Sequence, residues 1–195
     1  MASNLEIKKR RILESARGLL VGHGLQNLTL DEVAKNAGVA KGTLFLHYKS
    51  KEELLRAAYL DLAYSLEAAL KKIEDSDLKG QTLLEKTAEA ILSYLDVNSD
   101  FLLQIGPDRF SGCGPKSCRE LAEKISGDMG RLQKILVRCS KSSSIVIRDY
   151  PRSACFFFGL CRASLIYRIF VHKGESLKSR AKRVVHVFLN GVVIR

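Results

Sequence analysis

The sequence predicts an all-α fold of about nine helices, with a small N-terminal helical unit ahead of a larger helical domain. Three observations point there. Apolar residues recur at spacings of three and four along most of the chain, and no stretch alternates as a strand does. Only three prolines occur, so little interrupts a helix. Two runs, Thr29-Leu30-Asp31-Glu32 and Ser50-Lys51-Glu52-Glu53, have the spacing of a capping box, in which a hydroxyl and a carboxylate satisfy each other's backbone N–H groups at a helix start.

In order, the first helix is expected from about Asn4 to Val21, with Ile12, Leu13, Ala16, Leu19 and Leu20 on one side and Gly22-His23-Gly24 as its stop. The second starts at Thr29 and buries Leu30, Val33, Ala34 and Ala37. Gly38 turns the chain, Val39 plugs the core, and Lys41 to Tyr48 forms a short third helix with Leu44 inward and Tyr48 as an aromatic plug. The fourth opens at Ser50 and runs through Leu54, Leu55, Ala58, Leu62, Leu66, Leu70 and Ile73. Helical patterns then span 81–97, 100–105 and 116–140, with a turn-rich segment around Gly106 to Pro115. The eighth runs from Asp149 to His172, with Pro151 at its start, and Lys173-Gly174 breaks it. The last runs from about Ser176 to the C-terminus. The domain boundary is expected between residues 48 and 49, giving units 1–48 and 49–195.

Charge and cysteines narrow the class. The formal net charge is +11. Residues 1–51 hold nine Lys/Arg against four Asp/Glu, 52–130 nine against fifteen, and 131–195 fourteen against two. A basic N-terminal unit suits a polyanion such as DNA. Five cysteines without a disulfide framework suggest a reduced, cytoplasmic protein. The most apolar stretch, 155–171, is interrupted by Arg162 and Arg168 and is short for a bilayer span, so it is expected as a buried helix, with no membrane partner. Those two arginines are six residues apart and do not share a face. Pairing with acids of the 52–130 segment is the favoured role for them, over binding a ligand's carboxylate or acyl thioester.

Catalytic chemistry finds no support. His23, His47, His172 and His186 lack metal-ligand spacing, Cys113 and Cys118 do not form a CxxC pair, and there is no glycine-rich phosphate loop. No catalytic residue, metal or cofactor is expected. A redox sensor built on Cys113 and Cys118 is a lesser possibility.

The second and third helices have the proportions of a helix-turn-helix, which needs a recognition helix entering the major groove and a bracing helix across the backbone. The run RRILESARGLL…GL…TLDEVAKNAGVAKGTLFLHYKSKEELL resembles the N-terminal domain of the TetR family of bacterial transcriptional regulators. The match covers about residues 7–57, through the Ile12-Leu13-x-x-Ala16 face, Gly24, Thr29, the Ala37-Gly38-Val39 turn, the Gly42-Thr43-Leu44 helix and the SKEEL opening. The resemblance implies a repressor that binds a palindromic operator in double-stranded DNA as a homodimer. It also implies release by a largely apolar small molecule bound in the C-terminal domain, through movement of helix four. The competing reading is a helical DNA-binding protein of nucleoid or cell-division type, with no small ligand.

Carried onto this sequence, the resemblance places Lys41 at a base or phosphate contact at the head of the recognition helix. Thr43 and His47 fall at phosphate or groove-facing positions, and Thr29 and Lys51 at backbone contacts. Gly42 permits close approach. The family's usual serine cap is replaced by Ala40, and its usual aromatic pair by Phe45 and Leu46. Phe45 keeps the ability to touch a thymine methyl. Candidate pocket residues are Tyr64, Phe101, Ile105, Phe110, Met129, Phe157 and Tyr167; plain core packing is the simpler role for each. The last two helices are the expected dimer seam, through Phe156, Leu160, Val184, Phe188 and Val192, because the eighth is apolar on more than one face.

Overall fold

The computed structural model describes residues 4–105, 115–171 and 176–191, so Phe110, Cys113, His172 and Val192 lie outside the described residues. The described residues are mostly helical, with no strand among them. The helices are α1 (Asn4–Asn27), α2 (Leu30–Ala37), α3 (Lys41–His47), α4 (Lys51–Glu74), α5 (Gly80–Val97), α6 (Ser99–Gln104), α7 (Pro115–Lys141), α8 (Tyr150–Phe170) and α9 (Ala181–Asn190). They group into two compact units, 1–63 with 100–121, and 64–99 with 122–195. Helix α4 gives its first half to one unit and its second half to the other.

In the first unit α2 packs on α1 and α3 on α2. Ile12, Ala16, Leu20, Val33, Leu44, Leu54 and Ala58 are fully buried, each from the apolar stripe of its helix. Two polar ties cross this core. The Ser15 hydroxyl donates to the Val33 carbonyl at 3.2 Å, and the Arg17 guanidinium meets the Asp61 carboxylate at 2.7 Å. The break in helix α1 falls at the last residue of the Gly22-His23-Gly24 stop: Gly24, with φ 76° and ψ 167°, leaves the helical range, and a short helical stretch beyond it reaches Asn27. Gly22 keeps a negative φ, so a glycine there is compatible with the helix and does not end it.

In the second unit α5 packs against α8, α9 and the 3-10 turn Leu177–Arg180. Leu83, Leu84, Ala88, Ile91 and Leu92 supply its buried stripe. The C-terminal helix is shorter than expected: the chain enters it through that 3-10 turn and leaves it at Gly191, with φ 77°. Asp96 fixes this entry. Its carboxylate accepts from the Leu177 N–H at 3.1 Å and pairs with Arg168 of α8 at 2.9 Å. Arg168 thus has the structural pairing expected of it, while Arg162 is exposed. Asp149 caps α8, accepting from the Arg152 N–H at 2.9 Å, with Pro151 in the first turn. By length and composition α8 alone among the described helices is apolar enough to cross a membrane. Within one chain its burial is a single stripe, Ala154, Phe157, Cys161 and Leu165, while Phe156, Ile166, Tyr167 and Phe170 are exposed.

The seam between the second half of α4 and α7 is ionic. Glu67 meets Arg131 at 2.9 Å and Lys124 at 3.3 Å, and Lys124 meets Asp128 at 2.7 Å. Glu74 meets Arg131 at 2.8 Å and Lys134 at 3.5 Å. The Arg138 guanidinium donates to the Ile73 and Glu74 carbonyls at the end of α4 and to the Leu78 carbonyl in the chain that follows it. Hydrogen bonding from Arg131 holds the Glu67 carboxyl below its ordinary range, whereas burial pushes Asp128 up against the pull of Lys124. A lowered carboxyl pKa contributes stability above the unfolded value and loses it as pH falls through the folded value. Glu67→Gln should therefore lower the melting temperature at neutral pH. The gap to wild type should close as pH falls below the ordinary carboxylate range. Thermal melts of both proteins across that range measure it.

Candidate nucleic-acid interface

Helix α3 has seven residues, and nothing local supports so short a helix. Its neighbours fix it. Thr29 caps α2: its hydroxyl accepts from the Glu32 N–H at 3.2 Å, and the Glu32 carboxylate accepts from the Thr29 N–H at 3.3 Å. Gly38 closes α2 with φ 63°, donating its N–H back to the Ala34 and Lys35 carbonyls. A side chain at Gly38 would also strike the Arg11 guanidinium. Ala40 then starts α3 with extended backbone and no side-chain cap. Leu44 anchors the helix at 0% exposure, and Tyr48 closes it at 4%. Burial, with Asp61 and Glu53 nearby, pushes the Tyr48 phenol up to about 12.

The other side of α3 faces outward. Lys41 and Gly42 are exposed, Thr43 and His47 are half-buried, Phe45 is 38% exposed and Leu46 85%. Nothing stands within 4 Å of the place a Gly42 side chain would occupy, so the backbone there is open to close approach. The Lys41 ammonium lies 2.6 Å from the Asp31 carboxylate and 5.8 Å from the Phe45 ring centre. The Lys51 ammonium donates to the Leu25 carbonyl at 3.0 Å, beyond the Gly24 kink. Lys51 thus ties α4 to the end of α1. Ser50 Oγ accepts from the Glu53 N–H at 3.1 Å, but the Glu53 carboxylate reaches the Lys49 N–H at 2.8 Å rather than that of Ser50. The second capping box is therefore shifted by one residue on its return arm.

This region brings Thr29, Lys41, Gly42, Thr43, Phe45, His47 and Lys51 into one compact unit. Sequence reasoning missed Asp31, which pairs with Lys41 ten residues on. Its signal was an acid beside the cap that the capping box does not use.

The predicted pocket residues separate. Phe101, Ile105 and Phe157 are at 3%, 1% and 1% exposure and serve as core. Met129 is half-buried. Tyr64 is half-exposed, with the Lys124 ammonium 5.4 Å from its ring centre. Tyr167 is half-exposed and carries the Arg180 guanidinium 5.0 Å from its ring centre. It lines a cleft of about 620 Å³ with Leu160, Ser164, Arg183, Val184 and Val187. A second cleft of about 810 Å³ lies along Ile145, Cys155, Phe156, Leu160, Phe188 and Leu189. Of the predicted seam, Phe156 is 62% exposed and Leu160 half-buried. Phe188 stacks edge-on against Phe157, ring centres 5.0 Å apart. Val184 is 5% exposed and packs within its own unit, leaving only an edge on the cleft wall.

The family model of bacterial regulatory proteins, tetR family, matches residues 12–58, the segment that holds α2, α3 and their braces. Residues 12–58 are thus similar to the DNA-binding segment of the tetR family of bacterial regulatory proteins. The chain is similar to the transposon Tn10 TetC protein of Escherichia coli, 31% identical over 102 residues, covering 52% of this chain and 51% of that protein. It spans about half the length or less of the first curated relatives it matches. Its fold is that of the TetR-family transcriptional regulator PfmR from Thermus thermophilus, with TM-score 0.75, 23% identity and coverage of 94% and 100%. It is equally that of FadR from Bacillus subtilis, solved in complex with stearoyl-CoA, with TM-score 0.76, 20% identity and coverage of 94% and 99%. The fold expected from the sequence, a helix-turn-helix unit before a larger helical domain, is the one these TetR-family structures share.

Because the TetR-type helix-turn-helix depends on α2 being held in place, the Thr29 cap is open to test. Thr29→Ala should cost about 1 kcal/mol of stability in denaturant unfolding.

Proposed function

We propose that this chain is a cytoplasmic, non-enzymatic transcriptional regulator of the TetR family, a repressor that reads a palindromic operator as a two-fold homodimer. The observation that carries the reading is the outward face of α3. Lys41, Gly42 and Phe45 are exposed around a helix whose inner face is anchored by Leu44. One such helix reads one half-site, so a palindrome needs two copies. The exposed Phe156, Ile166 and Phe170 on α8, with the clefts beside α9, supply an apolar face for the second copy.

Lys41 is assigned to a base or phosphate, Thr29, Thr43 and His47 to the DNA backbone, and Phe45 to a thymine methyl. Lys51 is assigned to a phosphate contact while it stays bonded to the Leu25 carbonyl. The double variant Lys41→Ala/Lys51→Ala should weaken operator binding and lower the salt slope by about two units. Titration at several salt concentrations measures this, and wild-type affinity in the folded double variant would refute the contact assignment.

Phe156→Asp places a charge on the apolar face without removing a core residue. It should raise the dimer dissociation constant by roughly tenfold or more and weaken operator binding with it. Sedimentation velocity reads the first effect. A monomeric wild type at micromolar concentration would refute the homodimer.

The effector is proposed to be a largely apolar small molecule. Fold kinship with a regulator solved with stearoyl-CoA makes acyl thioesters the first compounds to titrate against the DNA complex. A second reading, DNA binding without any small ligand, gains support from the full burial of Phe101, Ile105 and Phe157. Operator affinity unmoved by that series and by other apolar compounds would favour it.

A further inference from the structure

Asp31 is the second residue of α2, and Lys41 is the first residue of α3. Their side chains meet at 2.6 Å, yet they are 59% and 63% exposed. Asp31 has no part in the cap, because Thr29 and Glu32 complete that box between themselves. Beside a helix proposed to approach phosphates, a carboxylate opposes binding to any DNA at all. Its place there is accounted for if it has a partner on the DNA.

We propose that Asp31 is a specificity-determining residue that reads one G·C base pair together with Lys41. Lys41 donates to the guanine, and Asp31 accepts from the cytosine N4 amine. The inference rests on the DNA-reading assignment above. In the major groove guanine shows the acceptors O6 and N7, and cytosine shows the N4 donor. O6 and N4 lie side by side, since they hydrogen-bond to each other within the pair. A donor and an acceptor already in contact across α2 and α3 match that neighbouring acceptor and donor. A T·A pair also sets an acceptor, O4, beside a donor, N6, but it flanks O4 with a methyl group. Guanine instead flanks O6 with a second acceptor for the ammonium.

The energetics favour discrimination over raw affinity. An exposed ion pair is worth little, so parting it to admit the bases costs little. Exchanging Asp31 for a phosphate gives Lys41 one anion in place of another and leaves the carboxylate near the phosphates without a partner. Both charges are matched only where the pair is G·C in the right orientation. A wrong pair leaves one of them unmatched, which is how a site rejects competitors.

The test is sequence enrichment from a random duplex pool by the wild-type chain, Asp31→Ala and Asp31→Asn. It is paired with titration of the enriched operator and of random duplex at several salt concentrations. Melting temperatures check that the variants fold. The expected result is one G·C pair in each half-site of the wild-type consensus whose preference falls by roughly tenfold in Asp31→Ala, while the other positions hold. Random-duplex affinity should rise in the same variant. Asp31→Asn should shift the position toward adenine, the usual partner of asparagine. Unchanged base preferences in Asp31→Ala, with operator and random duplex tightening together, would overturn the inference and leave the DNA-reading assignment standing. No enriched sequence with the wild-type chain would overturn both.

Discussion

A seven-residue helix cannot hold itself, and the first unit is organised around that constraint. Leu44 is the point where α3 is gripped: it is fully buried, while Gly42, Phe45 and Leu46 remain exposed. The grip works only if the chain arrives from the right direction. Gly38 supplies the turn because its positive φ costs a glycine nothing. The Thr29–Glu32 box fixes where α2 begins. Phe45 and Leu46 can then stay exposed because the stability of α3 comes from its inner face and its neighbours.

Much of this was legible in the sequence, for local reasons. The capping box, the Gly38 turn and the three-and-four spacing of Ile12, Leu13, Ala16, Val33 and Leu44 act over a few residues, and a reader sees them directly. What was not legible depends on residues far apart in the chain. Gly22 and Gly24 look alike in sequence, yet only Gly24 leaves the helical range. Lys51 looks like an ordinary surface lysine until its ammonium is found on the Leu25 carbonyl. Val184 and Phe156 both belong to the expected seam, and packing within the chain leaves one at 5% exposure and the other at 62%. The Lys41–Asp31 pair belongs to the same kind, since nothing in a linear reading joins an acid in one helix to a base in the next.

The basic last third has a partial explanation in the same long-range terms. Arg131 and Lys134 face Glu67 and Glu74, Arg168 faces Asp96, and Arg138 faces backbone carbonyls at and just beyond the end of α4. Acids of the middle segment thus offset part of the basic charge of the last segment inside the second unit. Lys182 and Arg183 stay exposed on α9. The apolar residues of α8 have therefore to outweigh their repulsion in any two-fold pairing, helped by salt.

Tyr48 carries a consequence of its own. Its hydroxyl is buried with no hydrogen-bond partner among the described residues, and burial pushes its phenol up to about 12. The chain has no tryptophan, so tyrosine absorbance is its main near-ultraviolet signal. Ionisation of Tyr48 at a lower, ordinary phenol pH would mean that water had entered the helix-turn-helix core. Tyr48 is one of six tyrosines, so the high-pH end of that absorbance change is where its burial beneath α3 would be read.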